Sequence, residues 1–484
     1  MRVPFALGSS NVAQSYIADQ QETINFFEAT LEPGGASGKA LYPTPGVESI
    51  GSVANGPGRA HAVHAGREWA VVAGKFYEIT EDGTFTELGS VAIGDNPATI
   101  SYNGDGGGEI LVTSGGNGYI WDIAAETLTQ IATIDGLADI GDQIDGYFLI
   151  LTQATSTVYF SDLSDGTSWD TGIQFFQRSS ASDGWKSLKV LNGELIWLFG
   201  SKTSEVWYDA GTSPVPFEPH PSGRGISYGV DGAFTPSILE GVMYWCGSTE
   251  NGRGQILRTG GFSPERISTP PVEFALQGYD TTSTAEGDAY SEDGHGFYLV
   301  RFSGEITWAY DVGSGSWHKR GTWISEDNEY VPWRPIHHAF AFDQHRWLDA
   351  ETGSLYRAGV DIGLDVDGRE LRRLRRAPAI VFQNERLSYA GFELLMDVGV
   401  GLTGNGPLRD PGAGTALDDS LFSGASFWAY YELESDGTDE NGGTSDLTEV
   451  NSPAYVLGVK DNGAQLVRVT DLTDSPHYLS LIHI

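Results

Sequence analysis

The sequence predicts an all-β protein: a β-propeller of six or seven blades followed by a smaller C-terminal β domain. Three observations carry that expectation. Glycine supplies 64 of 484 residues and Phe, Trp and Tyr together 12 %, a mixture suited to many short strands joined by tight turns. Long helical periods are nearly absent, which removes the α/β and bundle classes. Apolar runs also recur at intervals of roughly 38 to 55 residues, the spacing of propeller blades.

The units follow one another in order. "REWAVVAG" leads to "KFYEIT" and "EDGTFTELG"; "GEILVTSG" to "NGYIWDI" and "AAETLTQIA"; "GYFLILTQA" to "STVYFSDL" and "SDGTSWDTG". Then come "GELIWLFG" with "SEVWYDAG", "GVMYWCG" with "GQILRTG", "GFYLVRFSG" with "TWAYDVG" and "SWHKRGTW", and "HRWLDAETG" with "SLYRAG". Each unit reads as an inner, a half-buried middle and an outer strand. No unit can bury its faces alone, so the units must stack around an axis. Blade closure is expected to borrow a strand from near the N-terminus, and 213–233 and 323–335 are expected as loops on the faces of the disc.

Residues 1–368 are thus expected to form an N-terminal arm plus the propeller, and 369–478 a junction and C-terminal β domain that is cut short. The last six residues, "LSLIHI" (479–484), match one reading frame of a common library-adaptor end and are expected to be foreign to the protein. The segment "ESDGTDENGGTSD" is an acidic, glycine-rich loop without core-forming residues.

Charge is lopsided, with 28 Lys and Arg against 65 Asp and Glu and a formal net charge of −37. Such a surface repels phosphate backbones and disfavours sequence-specific reading of nucleic acid. It does not disfavour nucleic acid as cargo, since an acidic wall offers a polyanion no place to stick. Salt adaptation explains the same bias. Cys246 is the single cysteine, so no intrachain disulfide forms, which suits assembly in a reducing cytoplasm. No apolar stretch reaches bilayer-spanning length, and the opening "MRVPFALGSS" lacks the apolar core of a signal peptide.

No catalytic, cofactor or metal site is expected. "LIWLFGSKTSEVWYD" (Leu195 to Asp209) has a strand feeding into Gly, Lys and Thr, as a phosphate loop does, but the first glycine is missing and a strand follows instead of a helix. "DIGLDVDG" and "DGTDENGG" resemble calcium loops with ligands out of step. His337 and His338 would point to opposite faces of a strand, so with His345 they could share an ion only on irregular backbone. Glu194, Glu205 and Asp209 are candidate acids for glycoside chemistry, with nothing that marks them as converging. "SDLSDGTSW" departs from the Asp-box spacing of sialidases and reads as a turn packed by Trp169. The most unusual local chemistry is the cluster Arg369, Arg372, Arg373, Arg375 and Arg376, expected to make protein contacts within or between subunits in preference to contacts with DNA.

Three stretches are similar to the packaged-DNA stabilisation proteins of short-tailed phages, the tail accessory or nozzle proteins below the portal. They are "SYIADQQETINFFEATLEPGGASGKALYPTPGVESIG"; the run from "LIWLFGSKTSEVWYDAGTSPVPF" through "GRGISYGV" and "RISTP" to "TWAYDVGSGSWHKR"; and "NERLSYAGFELLMDVGVG" with "GNGPLRDPG". After Gly412 the chain departs from the family's pattern and turns acidic. The resemblance implies a structural virion protein of the tail or neck, assembled in the host cytoplasm as a homo-oligomer, a ring of six. It implies head completion by closing the portal channel, retention of packaged double-stranded DNA as non-specific cargo, and passage for that DNA at ejection. It further implies a portal adaptor and tail needle or fibre proteins as partners. The alternative reading is a β-propeller glycoside hydrolase or carbohydrate-binding protein.

Overall fold

The computed structural model describes residues 8–11, 21–30, 38–54, 56–178, 181–250 and 252–377, with further strands at 393–397, 456–460, 463–467 and 478–483. Seven antiparallel sheets follow one another along the chain and form a propeller, here labelled blades I to VII. Blade I is Gly58–His64, Arg67–Val72, Lys75–Ile79 and Phe85–Ser90; blade II is Thr99–Tyr102, Glu109–Ser114, Asn117–Asp122 and Thr127–Gln130. Blade III is Ile140–Ile144, Tyr147–Thr152, Thr157–Phe160 and Phe175–Gln177; blade IV is Trp185–Leu191, Leu195–Gly200, Ser204–Asp209 and Phe217–Pro219. In blade V, Gly229–Val230 and Ser237–Leu239 both pair with Val242–Thr249, followed by Gly252–Arg258 and Glu265–Arg266. Blade VI is Glu286–Glu292, His295–Arg301, Thr307–Asp311 and Ser316–Ile324. The strands of each blade are called A to D outward from the axis.

Blade VII is closed by the N-terminal part of the chain. Its A, B and C strands are Pro335–Ala341, Gln344–Asp349 and Gly353–Gly359, and its D strand is Gly46–Val53, in register from Gly359↔Gly46 to Gly353↔Val53. The propeller therefore has seven blades, within the expected six or seven, and it borrows its last strand as expected.

Every apolar run read from the sequence as the start of a unit is a B strand. These strands lie in the middle of a blade and are covered on both sheet faces by the neighbouring blades, so they need no polar alternation. Glu109–Ser114 is buried at all positions, whereas the D strand Thr127–Gln130 of the same blade is largely exposed. Trp69, Trp197, Trp245 and Trp347, all on B strands, are at most 1 % exposed. Trp197 and Trp245 meet at 5.9 Å between ring centres across the seam of blades IV and V. Such buried side chains each stabilise the fold by about 1.5–3 kcal/mol or more through removal of apolar surface from water.

The expected units lack their innermost strand. What reads as inner is B, and the A strands were not distinguished. Blade III differs further: "SDGTSWDTG" is the connection from strand C to D, and the D strand lies beyond it at Phe175–Gln177. Short strands also occur inside the segments expected as loops, at Phe217–Pro219, Gly229–Val230 and Glu329–Pro332. A single α-helix among the described residues, Pro270–Gln277, lies in the connection between blades V and VI, with prolines at its N-terminal positions, where a missing N–H costs nothing.

Blade VI extends outward. Glu22–Ile24 pairs parallel with Ser316–Ile324, and Leu374–Arg376 pairs antiparallel with Glu22–Ile24. The junction after Gly368 thus folds back along blade VI. Beyond residue 377 the expected C-terminal domain lies mostly outside the described residues. The expected foreign tail overlaps the strand Tyr478–His483, placed between Lys39–Pro43 and Glu393–Asp397; a backbone ladder is indifferent to the origin of its sequence.

Candidate functional site: the polar axis and the arginine segment

All seven seams between blades are crossed near the axis by a hydrogen bond that uses a side chain of an A strand or its partner. Arg59 Nη1 donates to Ser114 Oγ at 2.6 Å between blades I and II, and Gly141 N donates to Thr99 Oγ1 at 3.0 Å between II and III. Val190 N donates to Asp142 Oδ2 at 2.9 Å, Ser187 Oγ to Ala233 O at 2.5 Å, and Ser237 Oγ to Gly287 O at 2.9 Å. The carboxylate of Asp288 accepts from His337 N at 2.7 Å and His338 N at 3.1 Å, and His61 Nδ1 donates to His337 O at 2.9 Å. Seen from the axis, the A strands present backbone edges that would otherwise lack partners, and unpaired buried backbone groups are costly. The short polar side chains of these strands satisfy them.

The VII/I seam, where the ring closes, also holds a buried ionic chain. His61 Nε2 lies 2.7 Å from Glu68 Oε1, and Glu68 Oε2 accepts from Arg346 Nη1 at 2.8 Å; all three side chains are 0 % exposed. Because His61 Nδ1 faces a carbonyl, which can only accept, His61 and Glu68 share a proton on the other side of the ring. Arg346 further donates to Thr80 O at 3.1 Å and Gln344 Oε1 at 3.1 Å.

The face of blade VI toward blade VII is rich in ionisable groups. Burial pushes the Glu286 and Glu292 carboxyls up to about 7 and that of Asp288 up to about 6, while it holds His337 down to about 3 and His318 and His338 well below the usual imidazole range. The Arg320 guanidinium stands 5.2, 5.0 and 5.4 Å from the ring centres of Tyr290, Phe297 and Trp333, an arrangement favourable to a desolvated cation. A carboxyl whose value is raised on folding binds more protons in the native state. Its stabilising contribution is complete below about pH 4.5 and is lost as pH rises through about 7. Glu292→Gln should therefore gain melting temperature relative to the parent as pH increases from 5 to 8, as read by thermal unfolding in matched buffers. A difference that is constant or shrinks over that range would contradict the assignment.

The arginine segment is stitched to the N-terminal arm. Arg375 is 2 % exposed, and donates to Thr23 Oγ1 at 2.6 Å and Gln21 Oε1 at 2.8 Å; burial pushes it down to about 10. The Arg372 guanidinium lies 3.6 Å above the Trp323 ring. Arg373 Nη2 donates to Thr44 O at 3.2 Å, Arg376 lies 3.9 Å from Glu22, and Arg369 lies 3.4 Å from Glu326. Arg372 and Arg375 are thus turned into the chain's own interior, and Arg369, Arg373 and Arg376 are partly exposed at its surface.

The other motifs are occupied by structure. At Gly200 to Thr203 the turn is a hairpin, and the Lys202 and Thr203 N–H groups that a phosphate would need are taken by Asp183 Oδ2 at 2.9 and 3.0 Å. Glu205 is buried 3.3 Å from Arg178 and accepts from Trp207 Nε1 at 3.2 Å, Asp209 caps the turn at Gly211 N at 2.7 Å, and Glu194 is exposed in a turn. In "DIGLDVDG", Asp361 and Asp367 pair with Arg357 and Arg334, and Asp365 caps Val366 N at 2.8 Å; "DGTDENGG" lies outside the described residues. His337 does sit on irregular backbone, with φ 55° at a bulge, and His338 Nε2 lies 2.9 Å from His345 Nδ1. Among the described residues no three His, Cys, Asp or Glu side chains are grouped to hold a metal ion. Trp169 packs its turn and donates from Nε1 to Gly166 O at 2.6 Å.

Asp288, His61, Glu68 and Arg346, which matter most to the axis, were not singled out in the sequence. A signal was present: Asp145-Gly146, Asn192-Gly193, Glu240-Gly241 and Asp293-Gly294 all have positive φ at both residues. They lie in tight hairpin turns between A and B strands, of two residues in blades III, V and VI and of three in blade IV, and such pairs mark a strand on each side.

A radial array of sheets cross-bonded near its axis and closed by an N-terminal strand defines a β-propeller scaffold. Within that class, the family model described as bacteriophage P22 Gp10, beta-propeller, matches residues 1–359, and the chain belongs to this family of phage packaged-DNA stabilisation proteins. No curated protein matches the chain. Among solved structures, a chain of the mitotic checkpoint complex is 14 % identical, covers 68 % of this chain and 96 % of its own, and has a TM-score of 0.42. The N-terminal domain of Nup159 is 12 % identical, with coverages of 65 % and 95 % and a TM-score of 0.38. Virginiamycin B lyase from Staphylococcus aureus is 10 % identical, with coverages of 65 % and 99 % and a TM-score of 0.41. At such scores these likenesses decide nothing further.

Proposed function

We propose that this phage structural protein closes the portal channel after packaging, retains the double-stranded DNA, and forms part of the conduit through which it leaves. Copies of the chain form a ring, taken as six, seated on a portal adaptor and followed by needle or fibre proteins, in a virion assembled in the host cytoplasm. Family membership over residues 1–359 carries this reading. Two physical features support it. Cross-bonded seams give a rigid disc suited to bearing load, and on the face that carries the A-to-B and C-to-D turns, six of the seven A-to-B turns and the C-to-D turns of blades I to III are acidic. Those joining A to B contain Asp105, Asp145, Glu194, Glu240, Asp293 and Asp343; those joining C to D contain Glu81, Asp82, Glu126, Asp162, Asp165 and Asp170; neither set contains a Lys or Arg. Such a face has a net negative charge in its turns and repels DNA.

Arg369, Arg373 and Arg376 are proposed to meet acidic surface on the next copy. Arg372 is unsuited to a test, because a carboxylate there would lose its stacking on Trp323 and unfold the segment. Arg369→Glu combined with Arg376→Glu should leave melting temperature within a few degrees of the parent while shifting the purified protein from rings to monomers in light scattering and negative stain. Rings that form normally would refute the arginine contact. Failure of the parent protein to appear on capsid necks, or turnover of a glycoside panel, would refute the structural role itself.

A further inference from the structure

Between blades VI and VII lies a small cavity lined by Glu286, Asp288, Arg301, Thr307, Trp333 and Trp347 together with Leu299, Pro335 and Ile336. A water-sized sphere can place its centre over ≈ 10 Å³, at the lower end of the roughly 10–15 Å³ that one water molecule requires. Four of the lining residues bring a buried polar atom that has no hydrogen-bond partner among the described residues: Glu286 Oε2, Arg301 Nε, Thr307 Oγ1 and Trp347 Nε1. Thr307 is 2 % exposed and Trp347 is 1 % exposed. Glu286 and Arg301 are directly opposite one another in adjacent strands.

Four unsatisfied polar atoms on residues that line one cavity would together cost several kcal/mol if nothing met them, since each buried orphan costs about 1–3 kcal/mol. Their chemistry is complementary to one molecule. Arg301 Nε–H and Trp347 Nε1–H can only donate, the Glu286 carboxylate accepts when ionised, and the Thr307 hydroxyl can accept. We propose that this cavity is a binding site for a single structural water. The water accepts from Arg301 and Trp347 and donates to Glu286 and Thr307, which uses its two lone pairs and both hydrogens. It ties blade VI, the source of three of these groups, to the B strand of blade VII. A metal cation is the wrong occupant, because two of the four groups present N–H and would repel it.

The seam also explains why the site lies here. The neighbouring Asp288 carboxylate already spans the same two blades by accepting from His337 and His338 N–H. The water continues that polar strip toward the body of the blades, where the other seams are filled by apolar side chains such as the cluster of Leu149, Val158, Leu188 and Ile196 between blades III and IV.

The test is a crystal structure of the parent protein at a resolution that reveals ordered water. The expected result is one peak about 2.7–3.2 Å from all four atoms. A cavity without a peak, with Glu286 closed directly on Arg301, overturns the proposal. An anomalous peak at the site in rubidium-soaked crystals would make the occupant a monovalent cation and overturn it equally. In solution, deuteron relaxation dispersion should count one fewer long-lived water in Glu286→Leu, whose side chain fills the space, than in the parent. Equal counts in two folded proteins would also overturn it.

Discussion

Glu68→Ala is expected to destabilise the protein by about 3–5 kcal/mol, among the largest effects of any single side-chain change. The removed carboxylate is the partner of Arg346 at 2.8 Å and of His61 at 2.7 Å, and all three side chains are fully buried. Breaking one member of a buried ionic set leaves an uncompensated charge, which costs far more than the set contributes when whole. The control separates these two quantities. Replacing the three together by apolar residues, His61→Leu with Glu68→Leu and Arg346→Met, should recover most of the loss, because no charge is then left behind. Urea unfolding followed by tryptophan fluorescence measures both. A cost below about 1 kcal/mol for Glu68→Ala, less than a typical hydrogen bond to a charged group, would mean that the seam does not depend on this carboxylate.

Removal of residues 1–53 is expected to prevent a stable propeller altogether. That truncation deletes the D strand of blade VII, Gly46–Val53, and with it Val47, which is 1 % exposed in the core between blades VI and VII. It also deletes Glu22–Ile24, through which Leu374–Arg376 is attached to blade VI. The C strand Gly353–Gly359, which carries buried Leu355 beside Leu348 of the B strand, would become an open edge, an invitation to pairing with other chains. The expected outcome is aggregation, or a soluble form whose amides in 335–359 exchange with solvent within seconds. A milder version is Gly51→Val. Any Cβ at Gly51 would stand 2.1 Å from the carbonyl oxygen of Gly83, so overpacking costs of about 1–3 kcal/mol are the minimum. Native exchange protection of 335–359 in the truncated protein would show that blade VII closes without its borrowed strand.

Much of this architecture is legible in the sequence because of where each strand lies. The B strands, as in "GYFLILT" and "GELIWLFG", are covered on both faces, so their residues are apolar without alternation and stand out. The A strands were missed for the opposite reason. Their outer edges face the axis and their side chains are assigned to bonding the next blade, so Asp142, Ser187, Ser237 and Asp288 break any apolar run. Blade III shows a third case, in which a polar fourteen-residue connection separates strands C and D, and the short strand Phe175–Gln177 has too few residues to signal itself.

The arginine cluster illustrates the limit differently. Five arginines close together in an acidic chain announce an ionic contact, and the sequence left open whether it lay within or between subunits. The contacts within the chain differ residue by residue: Arg375 faces Gln21 and Thr23, Arg372 lies on Trp323, and Arg376 remains near the surface by Glu22.

By itself, then, the sequence determined the class of fold, the repeat of its units and the family, since those depend on local period, composition and motif, and the count of seven blades came from the structure. Tertiary structure alone decided which charges became interior ties, because that depends on which blades meet. Glu68 and Arg346 are 278 residues apart, and Asp288 finds His337 only once the ring has turned. Pairing at such separations is set by the closure of the ring and leaves no mark in any local window of the chain.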